Sequence, residues 1–323
     1  MEPVLDAVGG WILAGAALFV GPLRGVDAVM LAAGLALQLA ADVIRTRGWF
    51  TILRVAFPDS ERLRWREVAA ATFAGGGVNA VVPARGGDLL KLALLRRWLP
   101  TARPSTLLAT LAPETLFELF VGVALVAWAS WRGFIPVENV LDGALPLLDR
   151  PLVAAGAAAL IAAGLVGGWL LLRRRARGLS QHLAAGLAIV RRPRDFLFGV
   201  ASWQALSRVL RLGSICCMLA AFGLPSAPAA AALVMAVDGG TRVRFAGATT
   251  ALRAALMIYG LPRAGGAPVE AAAVVAYLLG IRLISTLSAL GLSAVSLLSL
   301  VGTASPRRAL AMARRALEPA EAT

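Results

Sequence analysis

The sequence predicts an all-α polytopic membrane protein, with about six spanning helices and two re-entrant helical hairpins. Three observations predict it. Of 323 residues, 59% are hydrophobic and only 15% charged, against about 25% charged in a soluble domain, and the mean hydropathy is +0.77. Uncharged runs approach the roughly 20 apolar residues that a bilayer crossing needs. Two other apolar stretches are broken by glycine, proline and charge, a pattern tolerated at membrane depth only where protein or a water-filled cavity satisfies the backbone. The chain reads as a single integral membrane domain over 1–323, with approximate halves 1–150 and 151–323, and no segment has the polar length for a soluble domain.

Residues 7–23 carry no charge and predict a retained first span rather than a cleaved leader. Residues 28–44 predict a second, with Asp42 near its end. The stretch that follows mixes Arg45, Arg47, Arg54, Arg62, Arg64 and Arg66 with Trp49, Phe50, Phe57 and Trp65. That mixture predicts an amphipathic segment lying on the cytoplasmic leaflet. Residues 68–84 are uncharged, glycine-rich and proline-ended, with basic clusters on both sides. Basic flanks stay in the cytoplasm, so the stretch cannot cross once and predicts a hairpin.

Residues 105–131 are long enough to span and hold Glu114 and Glu118; the slightly acidic loop 132–150 reads as external. Residues 151–172 contain no charge and end at Arg173, Arg174, Arg175 and Arg177 on the cytoplasmic side. Residues 196–222 span again and carry Arg208 and Arg211. Residues 229–262 are apolar but interrupted by Asp238, Arg242 and Arg253, which predicts a second hairpin entered from outside. Residues 268–302 form the last span, with Arg282 as its only internal charge, and lead to a basic cytoplasmic tail. Both termini are therefore expected in the cytoplasm. The order span, hairpin, span then repeats with opposite entry, an inverted-topology repeat that puts a binding site near the midplane.

Composition also excludes functions. The net charge of +14 is interleaved with apolar spans, so it orients the protein and faces anionic lipid, and no nucleic-acid partner is expected. His182 is the only histidine, and Cys216 and Cys217 the only cysteines. That leaves no histidine-based metal site, disulfide framework or nucleophile–base pair, and neither a cofactor nor enzyme chemistry is expected. Gly75, Gly76 and Gly77 lack the GK[ST] ending of a phosphate loop and read better as close helix packing.

The residues that point to cargo surround the first hairpin. Asn79, Pro83, Arg85, Asp88 and Lys91 fall within a few turns of one another. An arginine fork suits phosphate and stays charged in poor solvent, and Asp88 can hold it between bound states. Asn79 and Pro83 shape the break, one by capping backbone groups and the other by stopping the helix. Glu114 and Glu118 share one helix face at i, i+4 and are expected to carry protons or to neutralise Arg85 or Arg282. Arg253 and Arg282 would receive the cargo further across.

Asn79, Val82-Pro83-Ala84-Arg85-Gly86-Gly87-Asp88, Lys91 and Arg96-Arg97 resemble the "N…lPaR.Ge…r" signature of the lysylphosphatidylglycerol synthase transmembrane-domain family. Glu114-Thr115-Leu116-Phe117-Glu118 resembles its "ER..D" motif, with threonine for arginine and glutamate for aspartate, and Arg282 matches a late-helix arginine. The family's "P..PGG.G..E" corresponds here to Ala246 through Arg253, without the prolines and with arginine for the acid. The resemblance spans most of the chain, and that family includes the N-terminal flippase portion of bacterial multiple-peptide-resistance proteins and many stand-alone members of uncharacterised role. It implies a flippase moving an anionic phospholipid or lipid-linked intermediate across the cytoplasmic membrane, with membrane lipids as partners. The alternatives are an accessory subunit of a lipid- or glycolipid-modifying enzyme, or a small-solute or ion transporter. The small residues of 151–172 are compatible with a homodimer.

Overall fold

The computed structural model describes residues 25–58, 60, 63–81, 86–99, 102, 104–136, 189, 193–240 and 246–301. The expected spans 7–23 and 151–172, the loop 137–150, the arginines at 173–177, Pro83, Arg85, His182, Arg242 and the basic tail lie outside the described residues. Among the described residues every regular element is helical: α1 Ala28–Ala56, α2 Trp65–Val81, α3 Gly86–Leu95, α4 Pro104–Ala109, α5 Ala112–Trp131, α6 Pro193–Phe196, a π-helical turn Leu197–Ala201, α7 Ser202–Ala221, α8 Pro228–Gly240, α9 Ala246–Gly265 and α10 Ala271–Val301. Four helical stretches, Ala28–Ala56, Thr106–Trp131, Arg194–Ala221 and Ala271–Leu300, are long and apolar enough to cross a membrane. Large apolar side chains stand exposed along them, including Phe120, Phe198, Val209, Leu287 and Val295. These are the properties of a membrane-embedded protein.

Local chemistry sets the helix ends. Asp27 caps α1, its Oδ1 accepting the Val29 and Met30 N–H groups at 2.8 and 3.1 Å. Pro113 has no N–H to offer Ala109, and its ring crowds that carbonyl. The chain accordingly turns between α4 and α5, and Thr110 Oγ1 donates to the Leu107 carbonyl at 2.6 Å. α5 and α7 end on Gly133 and Gly223 at φ +69° and +67°. The following N–H groups of Phe134 and Leu224 return to the Ala129 and Leu219 carbonyls, both at 2.9 Å.

One difference from the sequence reading concerns Arg45 to Ala56. This stretch does not leave the second span as a separate amphipathic segment; it continues as α1 to Ala56. The run lacks proline, and its arginines are accommodated by partners. The Arg47 guanidinium lies 3.9 Å from the centroid of the Trp65 ring.

The chain folds as two compact units. One takes described residues from stretches up to Leu39, from Val121 and over Leu210–Arg282. Its core is built on Leu219, Leu233, Met257, Leu261 and Tyr277. Here α8 packs against α9, and Ser214 Oγ donates to the Gly34 carbonyl at 2.7 Å. The other unit takes Ala40–Phe120, described residues of Ala159–Val209, and residues from Leu283. Trp49, Ile52, Leu53, Leu90, Leu95 and Leu107 form its core.

In this second unit α2 packs against α3, and the glycine run explains how. A Cβ on Gly75 would come within 2.5 Å of the Gly87 carbonyl oxygen, and one on Gly87 would overlap the Gly75 carbonyl. Gly77 faces α10, where a Cβ would lie 2.6 Å from Ser293 Oγ and 2.7 Å from the Ala289 carbonyl oxygen. Ser293 Oγ donates to the Ala74 carbonyl at 2.9 Å. A Cβ on Gly76 meets nothing within 4 Å. Small residues thus let three backbones approach closely, the usual means of packing where lipid removes the hydrophobic drive.

Gly77→Leu is expected to destabilise the protein by roughly 1–3 kcal/mol through overpacking, while Gly76→Ala leaves stability unchanged or slightly higher. Thermal unfolding in mild detergent reads both; equal behaviour of the two variants would contradict the packing account.

Candidate functional site

The charged side chains of the second unit converge. Arg45 leaves α1 beside α5, where its Nε lies 3.0 Å from Glu114 Oε1 and its Nη1 3.3 Å from Glu118 Oε1. Arg208 reaches the same Glu118 oxygen from α7, Nη2 at 3.2 Å. Two arginines and two carboxylates from three of the apolar helices therefore form one ion cluster. The i, i+4 spacing of the glutamates allows it by setting both carboxylates on one face of α5. Glu114 is buried, and the side chains of Glu118, Arg208 and Arg45 are 13%, 20% and 32% exposed. Intramembrane charges are rare and usually paired in this way.

A second group of polar residues adjoins it. Asn79, near the end of α2, accepts the Gly87 N–H on Oδ1 at 2.9 Å, which satisfies a backbone donor in the first turn of α3. Its Nδ2 lies 3.5 Å from Asp88 Oδ1. One turn further along α3 stands Lys91, the chain's only lysine. It is buried, with Nζ 3.5 Å from the centroid of the Trp49 ring. A compact ammonium suits the face of an aromatic ring, where the broad arginine fork would need more room. Trp49 is itself held, its Nε1 donating to Thr110 Oγ1 at 3.2 Å. Burial pushes the Lys91 ammonium down to about 8, against the raising pull of Glu114. Lys91 also lies in the field of Arg45, Asp88 and Glu118, and Arg45 in that of Asp42 and Asp88. The polar end of the α2–α3 pair and the ion cluster are thus one electrostatic neighbourhood.

Asn79, Asp88, Lys91, Glu114 and Glu118 are therefore brought together, while Pro83 and Arg85 lie outside the described residues. Among the described residues the ion pairs of the glutamates run to Arg45 and Arg208, which the sequence reading did not name as their partners; Arg85, which it did name, lies outside the described residues. The physical reason is the continuation of α1, which carries Arg45 past the end of the expected span and alongside α5. Arg253 belongs to the other unit, where its Nη1 lies 3.4 Å from Asp238 Oδ1 and joins α9 to α8. Arg282 is exposed on α10.

Gln204 was missed entirely. It is fully buried on α7, one turn before Arg208, and neither amide atom has a hydrogen-bond partner. Gly48 of α1 leaves room for it; a Cβ there would lie 3.3 Å from Gln204 Nε2. A lone glutamine in an apolar run carries no sequence signal of its partners. Lys91 did carry one, as the single lysine among 32 basic residues.

No family model matches the chain, and no curated protein or solved structure matches it.

A double-mutant cycle on Arg45→Gln and Glu118→Gln is expected to give a coupling of about 1–3 kcal/mol, read by thermal unfolding in detergent. Additive losses would mean that the pair contributes nothing to stability.

Proposed function

We propose that this protein is a lipid flippase that moves an anionic phospholipid or lipid-linked intermediate across the cytoplasmic membrane. The observation that carries the reading is the Arg45–Glu114–Glu118–Arg208 cluster, set in helices otherwise apolar enough to face lipid. A static scaffold gains little from charge in such helices, because replacing a buried ion pair by apolar side chains often leaves stability unchanged or raises it. Charge of this kind suits a polar headgroup that must pass while its tails stay in lipid.

The finer topology belongs to the same proposal. The packing of α2 against α3, and of α8 against α9, supports two re-entrant hairpins among about six spans. Both termini then lie in the cytoplasm and the halves form an inverted repeat. The resemblance of Asn79 to Arg97 to the lysylphosphatidylglycerol synthase transmembrane-domain family supports a phosphate-bearing cargo. Arg85, which falls between α2 and α3 in the sequence, is proposed to engage phosphate first. Arg253 and Arg282 are proposed to receive it later, while Asp88, Glu114 and Glu118 neutralise the cations between cargoes.

Native mass spectrometry of the protein purified in mild detergent tests this reading. The wild type is expected to retain a discrete anionic lipid, which Arg85→Ala and Arg45→Ala lose or hold at least about tenfold less often. No retained lipid in the wild type would move solute transport and the accessory-subunit role ahead of the flippase reading.

A further inference from the structure

The cluster is crowded with partners of its own. Glu118 Oε1 accepts from both Arg45 and Arg208, and Glu114 takes the Arg45 Nε, so the forks that would grip a phosphate are already engaged by carboxylates. The surrounding charge makes the conflict sharper. On α1, Asp42 acts on Arg45; on α3, Asp88 and Lys91 act on it and on each other. Together with the cluster, the described residues set three cations, Arg45, Lys91 and Arg208, against four carboxylates, Asp42, Asp88, Glu114 and Glu118. A phosphate added to this group finds the arginine donors occupied by carboxylates. One proton taken up with a monoanionic phosphate leaves the net charge as it was.

We propose that this cluster binds a phosphate-bearing headgroup and a proton together, with Glu118 as the proton carrier. Glu118 is singled out because its one oxygen touches both arginines, so neutralising it releases a donor on each at once, Nη1 of Arg45 and Nη2 of Arg208. On binding, phosphate oxygens replace the carboxylate as partners of Arg45 and Arg208. The like charge of the phosphate then disfavours an ionised Glu118, and a proton from water joins a Glu118 carboxylate oxygen. On release the phosphate leaves, the proton returns to water and the ion pairs re-form. Gln204 supplies the second observation. Its fully buried, unpartnered amide lies one turn from Arg208 and beside Gly48, which is one turn from Arg45. That amide can donate to a phosphate oxygen or accept from a protonated carboxyl. The proposal rests on the flippase reading and adds its energy source, since a site loaded by anion and proton together draws cargo along a proton gradient.

The test measures binding of dioctanoyl-phosphatidylglycerol to the full-length protein in detergent by calorimetry. Binding is read between about pH 5 and 7, with proton uptake followed by a pH indicator in weak buffer. One linked proton tightens binding about tenfold per pH unit lost. The wild type is expected to follow that slope and take up one proton per lipid. Glu118→Gln is expected to bind with no slope and no uptake. Gln204→Leu is expected to weaken binding several-fold while the slope persists. Dioctanoyl-phosphatidylcholine is expected to bind weakly, and inorganic phosphate in place of the lipid separates a headgroup site from a free-phosphate site. Lipid bound without slope or uptake in the wild type overturns proton linkage and leaves the flippase reading standing. An unchanged slope in Glu118→Gln overturns the assignment of the carrier, and no lipid bound at any pH overturns both readings.

Discussion

Charge inside apolar helices is the constraint on which the rest of this structure depends. An arginine or glutamate set alone among leucines would have to be solvated by water that a bilayer does not supply. Arg45, Glu114, Glu118 and Arg208 meet that constraint by neutralising one another across α1, α5 and α7. Their pairing ties those helices together at one level, and the need to pair limits where the helices can slide. The buried Ser207, whose Oγ donates to the Ala41 carbonyl at 2.8 Å, fixes α7 against α1 one turn from Arg45. A cluster held this closely is poised: anything that alters the Glu118 carboxylate releases donors on both arginines.

The α2–α3 pair shows how backbone packing serves the same end. Gly75 and Gly87 bring two backbones closer than any side chain allows, and Asn79 uses that proximity to hold the first turn of α3. The result sets Asp88 and Lys91 in one electrostatic field with Arg45 and Glu114. Lys91 rests on Trp49, and Trp49 on Thr110, beside the turn that Pro113 imposes before α5. A chain of specific contacts therefore runs from the glycine run to the turn before α5.

Much of this was legible in the sequence, for physical reasons. Hydropathy alone marked the helices found at Ala28, Thr106, Arg194 and Ala271, because crossing a bilayer demands length and apolarity and little else. The i, i+4 spacing of Glu114 and Glu118 gave their common face. The glycines at 75–77 read as packing residues, and two of the three are in close backbone contact. What escaped was pairing. Nothing local says which arginine a glutamate will meet, and Arg45 looked like one of several surface cations until α1 was seen to continue past it. Gln204 is silent for the same reason: its meaning lies in Gly48, far away in the chain. The stretch Ala246 to Arg253 departs from the family signature it was compared with, yet Arg253 finds a carboxylate at Asp238; the altered sequence has its own partner.

The central claim is that this arrangement carries lipid from one leaflet to the other. Proteoliposomes containing a fluorescent phosphatidylglycerol, bleached from outside by dithionite, measure that directly. The account predicts that label in the inner leaflet becomes accessible with the wild-type protein and stays protected in vesicles carrying Arg45→Gln. Protection by the wild type equal to that of protein-free vesicles would contradict it.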